Sequence, residues 1–391
     1  MTPKSRTLFT ALALLTSLTA GLPAHPAAAR ALPGCVSSVP YVAGRGGYAA
    51  YRIPAIVQTG HGTVLAFAEG RRDGVGDTGD IDIVLRRSTD GGCTWGPLTV
   101  VTAGHGDTRG NPAPVVDPLT GAVVLVTCAN SGKAAEEQIR RGVGERRVFV
   151  QHSWDDGRHF TPPADITAQV KRPGWRWYAT GPGHAVALTR GPHAGRLLVP
   201  ANHTVAAPAT SLGPGSRYDG GHALYSDDGG RTWRLGFVTE AHDGVTNVNE
   251  TTATQLPDGR LYFNARDQYG TAPGNRLDTY SGDGGTTLDR PYAAQPTLTD
   301  VPVVQGSVLQ LQGRQAPLLF SAPSVPTARR ALALWSSTDS GRTFTRLRTL
   351  SDRPAAYSDL VQLGRDTVGV LYETGTIHSY DTVEFRRLTL P

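Results

Sequence analysis

Apolar residues in this chain fall in short runs such as Ile83-Val-Leu85, Val148-Phe-Val150, Leu197-Leu-Val199 and Leu261-Tyr-Phe263. Runs this short, rich in β-branched and aromatic side chains and bounded by turn residues, predict strands rather than helices. Pro257-Asp-Gly259, Asp117-Pro-Leu-Thr-Gly121 and Gly191-Pro-His-Ala-Gly195 mark turns between such runs. The only helix-like stretch, residues 134–141, reads as a loop insertion.

One pattern, Ser-x-Asp-x-Gly-x-Thr-aromatic, recurs along the chain. It stands at Ser88–Trp95, Ser226–Trp233 and Ser337–Phe344, with degenerate copies at Ser153–Phe160 and Ser281–Leu288. Each copy follows an apolar run, so each caps a hairpin. The Asp and Ser oxygens accept backbone N–H bonds inside the turn, Gly supplies the positive φ, and the last residue packs beneath. These Asp residues are therefore a folding device rather than catalytic groups. The copies lie about 55 to 75 residues apart, the length of a four-stranded blade with its connection. Five copies predict an all-β, six-bladed β-propeller of four-stranded antiparallel blades, one blade lacking the motif.

Composition agrees with many turns: 47 Gly and 28 Pro in 391 residues, with no linker and no second domain in view. The net charge is +5, but the Lys and Arg residues are scattered and form no basic stripe, which argues against a nucleic-acid partner. A basic surface would favour an anionic substrate. Residues 1–29 combine Lys4 and Arg6, an apolar stretch from Leu8 to Leu18 and a small-residue site ending near Ala29, the pattern of a secretory signal peptide. Residues 30–44 then read as a lead-in and 45–391 as the propeller. No later run resembles a membrane span, so the expectation is a secreted, monomeric, extracellular protein without a membrane anchor. Cys35, Cys93 and Cys128 leave at least one thiol unpaired, and their spacing fits no zinc pattern. No metal or other cofactor is expected.

Candidate chemistry lies in the loops. Tyr51-Arg52-Ile53-Pro54 is followed by Ala68-Glu69-Gly-Arg71, by an acidic loop from Asp73 to Asp82, and by Val84-Leu-Arg-Arg87. Asn249-Glu250 stands sixteen residues before Arg266 of Phe263-Asn-Ala-Arg-Asp267. Thr327-Ala-Arg329-Arg330 lies twelve residues before Gly341, counted from Arg329, and Ala356-Tyr357-Ser-Asp-Leu360 precedes Leu371-Tyr372-Glu373. In this order the motifs, with the repeats as Asp boxes, resemble those of the exo-α-sialidases, from about residue 45 to the end.

The resemblance implies a retaining glycosidase acting on terminal α-linked sialic acids. Arg52, Arg266 and Arg329 would clamp the substrate carboxylate through planar, charge-assisted hydrogen bonds. Arg330 is the alternative third arginine. A carboxylate nucleophile would be repelled by that substrate carboxylate, and sialidases with a tyrosine nucleophile are a known departure from two-carboxylate chemistry. Tyr357 takes that role, with Glu250 accepting the phenol proton. Asp77, twenty-five residues after Arg52, is the acid and base, with Asp80 the alternative. Tyr372 sits in the apolar run Val368–Tyr372 and reads as packing. Arg71, Arg72 and Asn111 are candidate substrate contacts, and Tyr178 a candidate wall of the acyl-group pocket. The partners implied are sialylated glycoproteins, glycolipids and oligosaccharides. The alternatives are a Kdn-type hydrolase, a trans-sialidase and a non-catalytic glycan-binding propeller.

Overall fold

The computed structural model describes residues 1, 35–207, 218–242, 244–313 and 316–390; the leader reading of residues 1–29 lies, but for Met1, outside them. The first strand, β1 (Ser37–Val42), pairs with the last, β25 (Thr382–Thr389), rather than with its sequence neighbour. Between them the chain forms successive antiparallel units. Blade I contains β2 (Ala50–Gln58), β3 (Val64–Arg71), β4 (Ile81–Ser88) and β5 (Thr99–Thr102). Blade II contains β6 (Thr108–Val116), β7 (Val123–Asn130), β8 (Arg146–Ser153) and β9 (Ala164–Asp165). In blade III the inner strand is split into β10 (Tyr178–Thr180) and β11 (Val186–Ala187), followed by β12 (Leu197–Thr204), β13 (Asp219–Ser226) and β14 (Arg234–Thr239). Blade IV contains β15 (Val248–Gln255), β16 (Leu261–Asp267), β17 (Arg276–Ser281) and β18 (Ala293–Ala294). Blade V contains β19 (Ser307–Gln310), β20 (Leu318–Val325), β21 (Ala328–Ser337) and β22 (Thr345–Thr349). Blade VI takes β23 (Ala355–Gly364), β24 (Thr367–Thr374), β25 and, as its outer strand, β1. The lead-in thus supplies a strand, and the propeller begins at Ser37 rather than at residue 45.

Backbone hydrogen bonding merges blades I and II into one sheet, but only through a single parallel pair, Ile81 with Thr108. The core resolves the blades more sharply. Six apolar clusters each fill one interface between adjacent blades: Phe67 and Leu125 between I and II, Val150 and Leu224 between II and III, Phe237 and Phe263 between III and IV. The ring continues with Tyr262 and Phe320 between IV and V, Leu334 and Tyr372 between V and VI, and Val84 and Phe385 between VI and I. Six interfaces close the ring, so the fold is a six-bladed β-propeller. Tyr372 is fully buried in this packing, as its apolar run predicts.

Each repeat caps the turn between the third and fourth strands of a blade. In the first, Ser88 Oγ donates to Asp90 Oδ1 (2.7 Å), Gly92 N to Ser88 Oγ (2.8 Å), Thr94 N to Asp90 Oδ1 (2.9 Å) and Thr94 Oγ1 to Asp90 Oδ2 (2.6 Å). The final glycine has φ +88° and lies on Phe385 of the preceding blade, where a Cβ would collide with the ring. The same docking recurs around the ring: Gly230 on Val124, Gly285 on Leu198 and Gly341 on Tyr262. Glycine is required there twice over, for its φ and for its missing side chain. Blade VI has no repeat for a topological reason: its third and fourth strands come from opposite chain ends, so no turn joins them. A disulfide between Cys35 and Cys93 ties the N-terminal strand to the first repeat, leaving Cys128 as a buried thiol.

The insertion between β7 and β8 carries a short helix, α1 (Glu136–Arg140), anchored by Ile139 against Ala134 and Trp177. A second short helix, α2 (Thr167–Val170), follows β9. Among the described residues no helix is long and apolar enough to cross a membrane.

Candidate active site

Four inner strands break register at one end of the ring. The irregularities fall between Arg52 and Ala55 in β2, Gly110 and Ala113 in β6, Val248 and Thr251 in β15, and Ala355 and Ser358 in β23. A bulge re-aims the side chains beside it. These four break at Arg52, Asn111, Glu250 and Tyr357, all of which line one cavity of about 200 Å³. Ile53 (φ 55°) and Asn111 (φ 54°) occupy the left-handed region there. That conformation costs a β-branched residue roughly 1–3 kcal/mol and persists where the surroundings enforce it.

Glu373, fully buried on β24, is the enforcing group. Its carboxylate accepts from Arg52 Nε (3.1 Å) and Nη2 (3.3 Å), and from the backbone amides of Ile53 (2.8 Å) and Tyr357 (3.2 Å). One side chain thus fixes two bulges in adjacent blades. Glu69, buried on β3, does the same for the opposite wall. It accepts from Arg71 Nε (3.0 Å) and Nη2 (2.6 Å) and from Asn111 N (2.8 Å).

On the cavity floor the Tyr357 hydroxyl donates a short hydrogen bond to Glu250 Oε1. Arg266 Nη1 bonds Glu250 Oε2 (2.9 Å) and reaches the Tyr357 oxygen (3.4 Å). The guanidinium carbons of Arg52 and Arg329 lie 5.1 and 5.8 Å from the Tyr357 ring centre. Burial and the Glu250 charge push the phenol well above its ordinary range, against the pull of Arg266, Arg329 and Arg52. It is neutral at rest and ionises only by passing its proton to a base, for which Glu250 is placed.

At the rim Asp77 meets Arg71 Nη1 (2.7 Å) and Arg52 Nη1 (3.3 Å), with its side chain still 63 % exposed. Desolvation raises its carboxyl, but Arg71 and Arg52 outweigh that and hold it below the usual carboxylate range. Six guanidiniums face four carboxylates in the lining. Arg52, Arg71, Arg140 and Arg266 have carboxylate partners. Among the described residues Arg329 bonds the Tyr380 hydroxyl and the Val303 carbonyl, and Arg146 bonds Asn111, Asn130 and the Tyr178 carbonyl, neither with a carboxylate at ion-pair distance. These two guanidiniums can each take up an anion without first giving up a carboxylate.

Of the residues singled out in the sequence, Arg52, Arg71, Asp77, Asn111, Glu250, Arg266, Arg329 and Tyr357 line this cavity. Arg72 does not. It turns away to Asp82 (2.6 Å) and Asp80 (3.3 Å) and lies over the Tyr48 ring, because successive residues leave a strand on opposite sides. Asp80 is committed to that pair, and Arg330 points outward to the Asp352 carbonyl (3.1 Å). Tyr178 is also off the cavity, packed in the core between blades II and III; its neighbours Trp177 and Ala179 line the wall instead.

Glu69, Glu373, Tyr380 and Arg146 carried no expectation from sequence. Glu69 and Glu373 had a signal, a lone carboxylate inside an apolar strand run, which is costly to bury unpaired. Tyr380, over which Arg52 lies at 4.2 Å, had none. Nor had Glu136 and Arg140, which α1 brings to the rim, where Arg140 bonds Glu136 (2.8 Å) and Asp219 (2.8 Å).

Comparison with known proteins places this geometry. Residues 62–372 match the family model described as a BNR repeat-like domain. The chain is 35% identical over 356 residues to a sialidase of Micromonospora viridifaciens, an alignment covering 86% of this chain and 51% of that protein. It therefore spans about half the length of that relative. It is 30% identical over 380 residues to an exo-alpha-sialidase of Aspergillus fumigatus, covering 88% of this chain and 85% of the relative. Among solved structures, a Hadza microbial sialidase superimposes with TM-score 0.77 at 25% identity, over 90% of this chain and 68% of the other.

Proposed function

This chain belongs to the sialidase family, and from that premise we propose that it is a secreted, retaining exo-α-sialidase releasing terminal α-linked sialic acids through a tyrosyl intermediate. The observation that carries the reading is the Tyr357 hydroxyl, bonded to a carboxylate and surrounded by three arginines.

Arg52, Arg266 and Arg329 hold the substrate carboxylate and so place the anomeric carbon over Tyr357. Glu250 takes the phenol proton while the Tyr357 oxygen bonds the anomeric carbon. The glycosidic bond breaks, and its oxygen leaves with the proton of Asp77. In the second half Asp77 takes a proton from water and the water oxygen attacks the same carbon. The bond to Tyr357 then breaks, and Glu250 returns its proton to the phenol. Two inversions leave the configuration retained.

Asp77 must be protonated for the first step, yet Arg71 and Arg52 keep it ionised in the free protein. A substrate carboxylate engaging Arg52 cancels part of that field, so proton uptake accompanies substrate binding. Export fits the Cys35–Cys93 disulfide, a bond that persists in oxidising compartments.

Release of a fluorophore from an α-linked sialoside tests the activity, and a difluorosialic acid adduct located by peptide mapping tests the mechanism. Folded protein that gives no turnover from mildly acidic to neutral pH overturns the first. An adduct on a residue other than Tyr357 overturns the second.

A further inference from the structure

A second concavity, of about 610 Å³, opens on the other side of the cavity wall. The wall has two short pieces of chain, and adjacent residues in each face opposite ways. Arg146 and Trp177 line the catalytic cavity, whereas Arg147, Trp175 and Arg176 line the groove. The α1 insertion divides the two spaces: Glu136 and Arg140 face the cavity, and Gly144 and Glu145 the groove. Its backbone at Gly142 lies directly against the Arg176 guanidinium.

The charges in the groove do not balance. Asp165 is taken by Arg147 through a short ion pair, and Glu145 acts on Lys171, whose ammonium also donates to the Arg146 carbonyl (2.7 Å). Glu240 feels the charge of Arg172 but is held by Trp175 Nε1 (2.9 Å) and His203 Nε2 (3.0 Å), so Arg172 and Arg176 remain without a bonded carboxylate. Among the described residues neither has a carboxylate within ion-pair distance. Arg176 Nε is buried without a hydrogen-bond partner, and Arg172 lies 5.8 Å from the Trp175 ring centre. Two guanidiniums without an ion-pair partner among the described residues, in a concavity of ligand size one wall away from the catalytic cavity, suit a second anion.

We propose that this groove is an accessory site for the carboxylate of a second acidic sugar on the same glycoconjugate, held by Arg172 and Arg176 while a first occupies the catalytic cavity. The proposal rests on the sialidase reading for the identity of the sugar. Tethering through a second sugar raises the effective concentration of the first, so the benefit falls on multiply sialylated substrates and not on single sialosides.

The test is the double variant Arg172→Ser/Arg176→Ser, assayed on a monovalent fluorogenic sialoside and on a multiply sialylated glycoprotein. The variant is expected to raise KM for the glycoprotein roughly fivefold, to leave kcat/KM on the monovalent sialoside within about twofold, and to lose the salt sensitivity of the glycoprotein reaction. An unchanged ratio of the two kcat/KM values, or an equal fall in both with an unchanged melting temperature, overturns the proposal. Should wild-type protein fail to turn over even the monovalent sialoside, the sialidase reading fails separately. The groove is then decided by equilibrium binding of the glycoprotein, where equal affinity of wild type and variant rejects it.

Discussion

The repeat turns and the cavity are both built from carboxylates accepting several hydrogen bonds, but over very different distances along the chain. Asp228 is satisfied by Ser226, Arg231 and Thr232, all within four residues. Glu373 holds Arg52 from 321 residues away, and Glu250 holds Tyr357 from 107. The first arrangement forms wherever its octapeptide occurs and can be repeated. The second exists only once the ring has closed, and Arg52, Glu250 and Tyr357 sit at register breaks of their strands. Local satisfaction builds scaffold, and long-range satisfaction holds chemistry in place.

That contrast can be broken at either end. Tyr357→Phe should lower sialoside turnover by roughly a thousandfold while leaving the melting temperature near that of wild type. Comparable turnover would remove Tyr357 from the chemistry. Between the two extremes lies a cross-strand pair in blade III, His203 with His222 (3.0 Å), stacked under Trp175. Burial pushes His203 down to about 4, against the opposing pull of Glu240. A depressed histidine contributes stability that is present above its unfolded value of about 6.5 and lost as pH falls toward the folded one. Denaturant unfolding at about pH 7 and about pH 4.5 should therefore show a loss of stability on acidification that is smaller in His203→Gln than in wild type. Equal losses in both proteins would contradict it.

Smaller effects sharpen the same contrast. Glu373→Gln keeps the shape but removes the charge that orients Arg52, and should cost about thirtyfold in kcat/KM, or about 2 kcal/mol. An intact kcat/KM would mean that the Arg52 bulge holds without it. Asp228→Ala, on the repeat side, should cost about 1 kcal/mol of stability with turnover at room temperature unchanged. Reduced turnover at full folding would show that the repeats reach the cavity after all.

Legibility in the sequence follows the same division. The repeats, their spacing and the turn chemistry were all readable, because their partners lie a few residues away. So was the burial of Tyr372, which sits within a continuous apolar run. Where the reading failed, it failed by one residue. Arg72 next to Arg71, and Tyr178 next to Trp177, exchange faces because strand side chains alternate, and a one-residue shift carries a side chain from the cavity to the core. Paired arginines and paired aromatics hide that phase. Arg329 and Arg330 carried the same ambiguity, which β21 resolves by turning Arg330 outward.

Sequence alone determined the architecture, since apolar period, turn residues and five copies of one octapeptide act through bonds that close within a few residues. Even the missing sixth copy has a sequence-order cause, the return of the N-terminal strand to the last blade. Tertiary structure decided what the loops become. Closure of six blades brings Arg52, Glu250, Arg266, Arg329 and Tyr357 to one cavity, with Glu69 and Glu373 behind its walls. It also brings Arg172 and Arg176 into a neighbouring groove, where among the described residues neither has a carboxylate at ion-pair distance. Those placements depend on which bulges face one another across the ring, and no local pattern encodes that.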